Sequence, residues 1–389
     1  MTSERVRTFR DQIPAVADEH RIHLNNCSTG PIPQPALDAR RECERLWIEL
    51  GNPWDQWLER VEHSKRLFAD LINADEDEIA ILSCASQAFA QVASAFDYED
   101  RDEVVTTDLE FPTVPYFWHG QRKRGVDVRL AESPDGLTVP TDVYEEQMSD
   151  DTLLVCSAHA YPFTGGLMDV EGVADAVHDR GGYFFLDAYQ STGVVPIDVE
   201  AQDVDMLVSG TLKFLMGGPG TAYLYVDDDV VDELEPANLG WFGVEDLFDF
   251  DIDSNQHAAG ARRFEMGTPA APTTYMAAAG MEFVLDFGVE NARERIVEHT
   301  NNLIAGVEKR GFDVLTPHDA DERGGVVNVQ VEDAETVEQT LLDRGFNVSE
   351  RAGGIRLSPH FYNTADEIEQ AIETLDEIAT PATVDVPSR

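Results

Sequence analysis

The sequence predicts an α/β protein: a large domain built on a mostly parallel seven-stranded sheet, followed by a small α+β domain. Three observations lead there. Seven short β-rich runs follow one another: EIAILSC (78–84), EVVTT (103–107), VDVRL (126–130), TLLVCSA (152–158), YFFLD (183–187), DMLVS (205–209) and TAYLYV (221–226). Helical segments such as ASQAFAQVASAF and VEGVADAVHDRGG separate several of them, which is the alternation of a parallel sheet covered by helices. Past residue 230 the alternation stops, and a shorter helix–strand pattern takes its place.

The elements follow in order. Residues 1–20 are polar and read as an N-terminal arm. Residues 35–73 read as helices, with Leu37, Leu46, Trp47 and Leu50, then Val61, Phe68 and Leu71, at helical spacings. The seven runs and their helices complete a large domain over 21–272, in which TAYLYV, close behind GGPG, is a candidate antiparallel neighbour. A loop-rich stretch ends at ARRFEMGTP. One long helix over about 273–310 opens the small domain (273–380), which continues with GGVVNVQVE, AETVEQTLLDRG, FNVSE, GIRLSP and TADEIEQAIETLDEIA. Residues 381–389 read as a frayed tail.

Composition narrows the function. The chain has 389 residues, 28 basic and 75 acidic, for a formal charge of −47. Phosphate neutralisation needs clustered Lys and Arg, so nucleic acid and anionic membrane surfaces are excluded as partners. Apolar residues make up 42% of the chain, enough for a large core rather than disorder. Self-repulsion of this size is screened in molar salt, where the Debye length is about 3 Å, so a salt-accumulating cytoplasm is expected. No run reaches the ~18 apolar residues of a membrane span, and MTSERVRTFRDQIPAV has no apolar signal core. Cys27, Cys43, Cys84 and Cys156 show no CxxC spacing. A reducing compartment and no metal site are expected.

The chain has four lysines: Lys65, Lys123, Lys213 and Lys309. Lys65 in VEHSKRLFADL reads as the polar face of an amphipathic helix, and Lys123 and Lys309 as solvated helix ends. Lys213 sits in MLVSGTLKFLMGGPG, between apolar residues and glycines. A desolvated amine has a lowered pKa, which suits a Schiff-base nucleophile. Upstream, Asp187 ends the apolar run YFFLD, where α/β sheets place ligand chemistry; alone, it is equally a turn or capping residue. SCASQAF is a strand running into a helix, whose first N–H groups suit a phosphate; any Ser N-cap looks the same. Together the three features describe a pyridoxal phosphate site.

These residues resemble the fold-type I pyridoxal-phosphate enzymes of aminotransferase class V, the group of cysteine desulfurases, selenocysteine lyases, kynureninases and isopenicillin N epimerase-like proteins. The resemblance runs from HLNNCSTGPIP (23–33) to IRLSPHFYNTADEI (355–368). Its most specific block is LDAYQSTGVVPIDVEAQDVDMLVSGTLKFLMGGPGTAYLYV. It implies Lys213 as the Schiff-base lysine and Asp187 as partner of the pyridine nitrogen. It implies Gln190 on the ring's phenolic oxygen and Phe111 stacked on the ring. Ala85, Ser86 and Gln87 match the phosphate turn, and Thr211 adds a hydroxyl. Thr268 matches a residue reaching the phosphate from a neighbouring subunit, which implies a homodimer with shared active sites. Arg356 matches the arginine that grips the substrate carboxylate, a bidentate task for a planar guanidinium. Asn25 and Asn26 lie in the family's substrate loop.

Three departures stand out. Tyr189 replaces a small residue beneath the ring. Pro162 replaces a polar residue near the phenolic oxygen. FNVSERAGGIRLSP lacks the persulfide Cys that a desulfurase carries before its arginine, so such chemistry would need Cys27 or Cys84 to reach the site through the fold. KFLMGGPG, EFPT and GWFG are similar to kynureninase text. The implied activity is therefore transfer or elimination on an amino acid, with kynureninase-like hydrolysis or epimerisation as the alternative. A scaffold that keeps the fold without catalysis has no need of Lys213, Asp187, Gln190 and Arg356 together. A nicotinamide-dependent enzyme needs a glycine-rich turn after an early strand, and ASQAFA has no glycine.

Overall fold

A computed structural model describes residues 3–17, 21–253 and 256–383. In chain order the strands are β1 (Ile22–His23), β2 (Ile79–Leu82), β3 (Glu103–Thr107), β4 (Asp127–Ala131), β5 (Thr152–Ala158), β6 (Tyr183–Asp187), β7 (Met206–Gly210), β8 (Ala222–Val226), β9 (Val327–Gln330), β10 (Phe346–Asn347), β11 (Ser349–Arg351) and β12 (Gly354–Leu357).

The large sheet has seven strands in the order β2-β8-β7-β6-β5-β3-β4. They are the seven runs read from the sequence. β8 is antiparallel to β2 and β7, and the other pairings are parallel. Six strands therefore end at the same edge. β2, β3, β5, β7 and β8 are buried along their whole length, as continuous apolar runs between helix layers must be. The rim strand β4 instead exposes Asp127 and Arg129, charges that discourage pairing with another chain. Side chains alternate between two cores: Leu207 and Tyr223 pack on one face, Met206, Val208 and Leu224 on the other.

In the small unit β12 pairs with β11 and β9, both antiparallel. The N-terminal strand joins it: β1 pairs with β10, and Asn25 bridges Ser358. Residues after Asn26 then cross to the edge of the large sheet, where Gly30 N–H donates to the Leu212 carbonyl at 2.9 Å. A Cβ on Gly30 would collide with the Lys213 carbonyl oxygen, so glycine permits this close approach.

One sequence expectation changes, and two gain detail. The single helix over 273–310 is two helices, Ala271–Phe287 and Val289–Glu308. They are separated by Gly288 at φ 90°, a conformation that ends a helix. The first packs on helices Gln34–Leu50 and Trp54–Ile72, the second on Ala365–Ile378. The N-terminal arm contains a docked helix, Ser3–Arg10, whose Phe9 ring meets Phe283, Phe287 and Phe361 and whose Arg10 pairs with Glu367 at 2.6 Å. At the start of the tail Pro381 bridges Val331; residues 384–389 lie outside the described residues.

Candidate active site

Sheet geometry makes the site. β6 delivers Asp187, β7 leads into the turn carrying Lys213, β5 leads to Ala158 and Ala160, β3 to Phe111, and β2 to Cys84, Ala85 and Ser86. These side chains line one cavity of about 360 Å³ at the carboxyl edge of the sheet. Cys27 and Ser28 close one side, Pro162 and Phe163 follow β5, and Arg351 and Arg356 come from β11 and β12 of the small unit.

Lys213 is half-buried, its open part facing the cavity. Its Nζ lies 4.5 Å from the Tyr189 ring centroid and 5.6 Å from that of Phe111. Burial pulls its pKa down to about 8; the charges of Asp187 and Cys27 oppose that, and Arg356 adds to it. Asp187 is buried, and its Oδ1 accepts from Tyr189 N–H at 2.9 Å. Burial raises its pKa, opposed by that hydrogen bond and by Lys213.

Gln190 donates from Nε2 to the Cys27 carbonyl at 3.0 Å, while its buried Oε1 has no partner. Arg356 stands on β12 opposite Ser349. Its Nε and Nη2 donate to Ser349 Oγ at 3.2 and 3.0 Å, and its Nη1 to the Pro162 carbonyl at 2.7 Å. The guanidinium is thereby fixed in plane, with N–H capacity left for a carboxylate. Ala85 and Ser86 open the helix Ala85–Ser94, where first-turn N–H groups have no partner within the helix.

Among the expected site residues, Gln87, Thr211 and Asn26 do not line this cavity, and Thr268, expected to act in a neighbouring subunit, lies outside it as well. Gln87 folds back: its Oε1 accepts from Ser83 N–H and Oγ at 2.9 and 2.7 Å, and its Nε2 lies 2.9 Å from Met266 Sδ. Thr211 is buried and donates to the Gly218 carbonyl at 3.0 Å, bracing the glycine turn behind Lys213. Asn26 is buried, donating to the Ser358 carbonyl and accepting from Tyr362, both at 2.8 Å. Thr268 is exposed and lines a separate cleft with Gln87 and Met266.

Several cavity residues were not chosen from the sequence as site residues. Cys27 and Cys84 both line it, so the fold brings two thiols to the site. Tyr189 packs its ring on Gly210, where a Cβ would overlap it; the motif DAYQS carried that signal. Arg351 had none, because only the β11–β12 hairpin brings it beside Arg356. Lys65 is a correction. It is buried rather than solvated, and its Nζ lies 2.7 Å from Glu265 Oε1, with both side chains under 5% exposed. Glu265 stands 200 residues away in sequence, so helical periodicity could not reveal it.

The aminotransferase class-V family model matches residues 23–371. The uncharacterized aminotransferase YcbU of Bacillus subtilis is 35% identical, over 92% of this chain and 93% of that protein. The kynureninase of Bacillus anthracis is 30% identical, over 92% and 89%. Among solved structures, a C-DES mutant with glycine covalently linked to its PLP cofactor superposes with a TM-score of 0.88 at 21% identity, covering 95% of this chain and 99% of that one.

Proposed function

Because the chain belongs to the aminotransferase class-V family, whose cofactor is pyridoxal 5'-phosphate, we propose that it is a transferase or lyase acting on a small amino acid, with Lys213 as its catalytic amine. The observation that carries the reading is Lys213 itself: an amine with a pKa near 8, flanked by two aromatic rings, in a cavity it shares with Asp187 and Arg356. The residues present fit the cofactor. Gln190 Oε1 is an orphaned buried polar atom on the cavity wall, Asp187 is a buried carboxyl at the strand end, and the helix start at Ala85–Ser86 offers N–H groups to a phosphate.

Bound pyridoxal phosphate supplies a carbonyl carbon for an amine and an electron sink for the pair left at Cα. The chain does the rest. Arg356 grips the substrate carboxylate and so fixes which face of Cα meets Lys213. Lys213, neutral in an appreciable fraction near pH 7, takes the proton from Cα and returns it. Asp187 holds the proton on the ring nitrogen. Phe111 and Tyr189, whose rings flank Lys213, would exclude water around the bound group. Ala85 and Ser86 hold the phosphate, and Thr211 supports the turn behind Lys213.

Elimination on a sulfur-containing amino acid has a specific support beside transamination: Cys27 and Cys84 line the cavity although the hairpin before Arg356 has no Cys. The EFPT and GWFG segments support kynureninase-like hydrolysis instead. Adding amino acids one at a time to the cofactor-loaded protein, with absorbance and product identification, tests the reading. A keto acid without released ammonia or sulfide indicates transamination, sulfide a lyase, and anthranilate the hydrolase. No spectral change with any amino acid would leave only a scaffold.

The proposal includes a homodimer in which Thr268 reaches the partner's phosphate site; its support is the exposed position of Thr268 outside the Lys213 cavity. Gel filtration in high salt, with the cofactor affinity of Thr268→Ala, tests it. The charge of −47 supports a high-salt cytoplasm. Among the described residues no helix is long and apolar enough to cross a membrane.

A further inference from the structure

Glu110 precedes Phe111 in the segment between β3 and the helix Thr113–Gln121, and none of the chemistry above uses it. It is 4% exposed. Its Oε1 accepts from Ser157 Oγ at 2.7 Å and from Ala158 N–H at 2.9 Å. Its Oε2 is sealed from water and has no partner. Ala158 pairs in register with Asp187 across β5 and β6. The Asp187 charge therefore acts on Glu110 through space, across the strand pair β5–β6.

The hydroxyls behind Glu110 have one consistent direction. Ser157 gives its proton to Glu110, so Tyr144 must give its own to Ser157 Oγ, 2.7 Å away, and Tyr161 its own to Tyr144, 3.0 Å away. Every donor in the chain points at Oε1. The titratable groups that face Glu110 are Asp187 on β6, Cys156 on β5, Tyr144 on the helix Thr141–Gln147 and Tyr161 after β5. None is a cation. A buried carboxylate that no cation faces is costly, and the proton belongs on the oxygen that no donor reaches.

We propose that Glu110 is a positioning residue that works as a neutral acid with its proton on Oε2. It ties the segment carrying Phe111 to β5 and leaves Asp187 as the single anion at the ring nitrogen. Burial, and then the Asp187 charge, raise its pKa to about 8 against the hydrogen bonds from Ser157 and Ala158. The inference rests on the reading of Asp187 as the nitrogen's partner.

Infrared difference spectra of the apo protein, wild type minus Glu110→Gln, give a readout that needs no cofactor. The expected spectrum has a protonated-carboxyl band at pH 6.5 (on the order of one pH unit or more below the raised value) that fades as pH rises past about 8. Glu110→Gln, which keeps a neutral group taking the same two hydrogen bonds, should leave the pyridoxal phosphate dissociation constant within about twofold. Glu110→Ala should raise it by about tenfold. A difference spectrum without that band, or a Gln variant as damaging as Ala, overturns the proposal. If Glu110→Ala does not fold, the band and the Gln variant still decide. Asp187→Asn separates the premise: if it leaves the loaded protein's spectral pH midpoint unmoved, the reading of Asp187 fails while the infrared band stands.

Discussion

Lys65 is buried and Lys213 half-buried, and their surroundings drive them in opposite directions. Burial pulls Lys65 down, but the charges of Glu265, at 2.7 Å, and Glu62, at 3.4 Å, outweigh it and hold the ammonium above the ordinary lysine value. Lys213 has no such partner in contact. Asp187 acts on it only through space, two aromatic rings flank it, and burial wins. Burial alone does not make a lysine reactive; a carboxylate in contact cancels it, and its absence leaves an amine whose pKa falls to about 8, neutral in an appreciable fraction near pH 7. The first lysine holds structure together: Glu265 also accepts from Ile81 N–H at 3.2 Å, so the pair ties the helix Trp54–Ile72 to β2 and to the turn before Thr268.

The comparison breaks first at Lys213. Lys213→Ala should lose borohydride-reducible cofactor attachment and about 10⁴-fold in turnover, whatever the substrate proves to be. An unchanged spectrum in that variant would remove Lys213 from the mechanism. Lys65→Met should keep the attachment and instead lose roughly 3–5 kcal/mol of stability, because it strands a buried Glu265. Adding Glu265→Leu should recover most of that, since a well-packed apolar pair replaces a buried ion pair at little cost. Urea midpoints measure both, and a double variant no better than the single one would show that packing, not charge, holds the joint.

The sequence made Lys213 legible and Lys65 not, for one physical reason. Lys213 has its apolar neighbours and glycines adjacent in the chain, and Asp187 sits at the end of a strand that its own composition marks. Lys65 takes its meaning from Glu265, which only tertiary packing brings near. The same limit covers the cavity. The seven strands, the largely parallel sheet and the antiparallel β8 follow from local runs and spacing, whereas the strand order comes only from the packed sheet. Cys27, Cys84 and Arg351 reach the site through loops and a hairpin whose positions no local pattern states. Gln87 and Asn26 lie next to cavity residues, yet their side chains turn to Ser83 and Ser358, a choice made by rotamer and hydrogen bond rather than by position in the chain.

A smaller effect belongs to Arg356. Arg356→Lys keeps the charge but loses the fork that Ser349 and Pro162 hold in plane. KM for the amino acid should rise by roughly tenfold to a hundredfold with a smaller change in kcat. A kcat loss without a KM change would move Arg356 out of substrate binding.

The smallest effect tests what remains of the support under Lys213. An aromatic face favours an ammonium by about 0.5–2 kcal/mol. The Tyr189 ring, at 4.5 Å, is nearer than the Phe111 ring, at 5.6 Å. Both rings therefore oppose the burial that lowers the Lys213 pKa, doing weakly what Glu265 does strongly for Lys65. In the apo protein, acetylation at Lys213 followed by mass spectrometry should rise with pH and level off above about 8. At Lys65 it should stay negligible through that range, because the ammonium is both sealed and held charged. Tyr189→Leu should move the Lys213 midpoint down by about half to one pH unit, and Phe111→Leu by less. The sign is the informative part. A midpoint that rises in Tyr189→Leu would mean that the ring's main effect is to keep water out, so that its loss rehydrates the ammonium and the two lysines differ by solvent access rather than by partner.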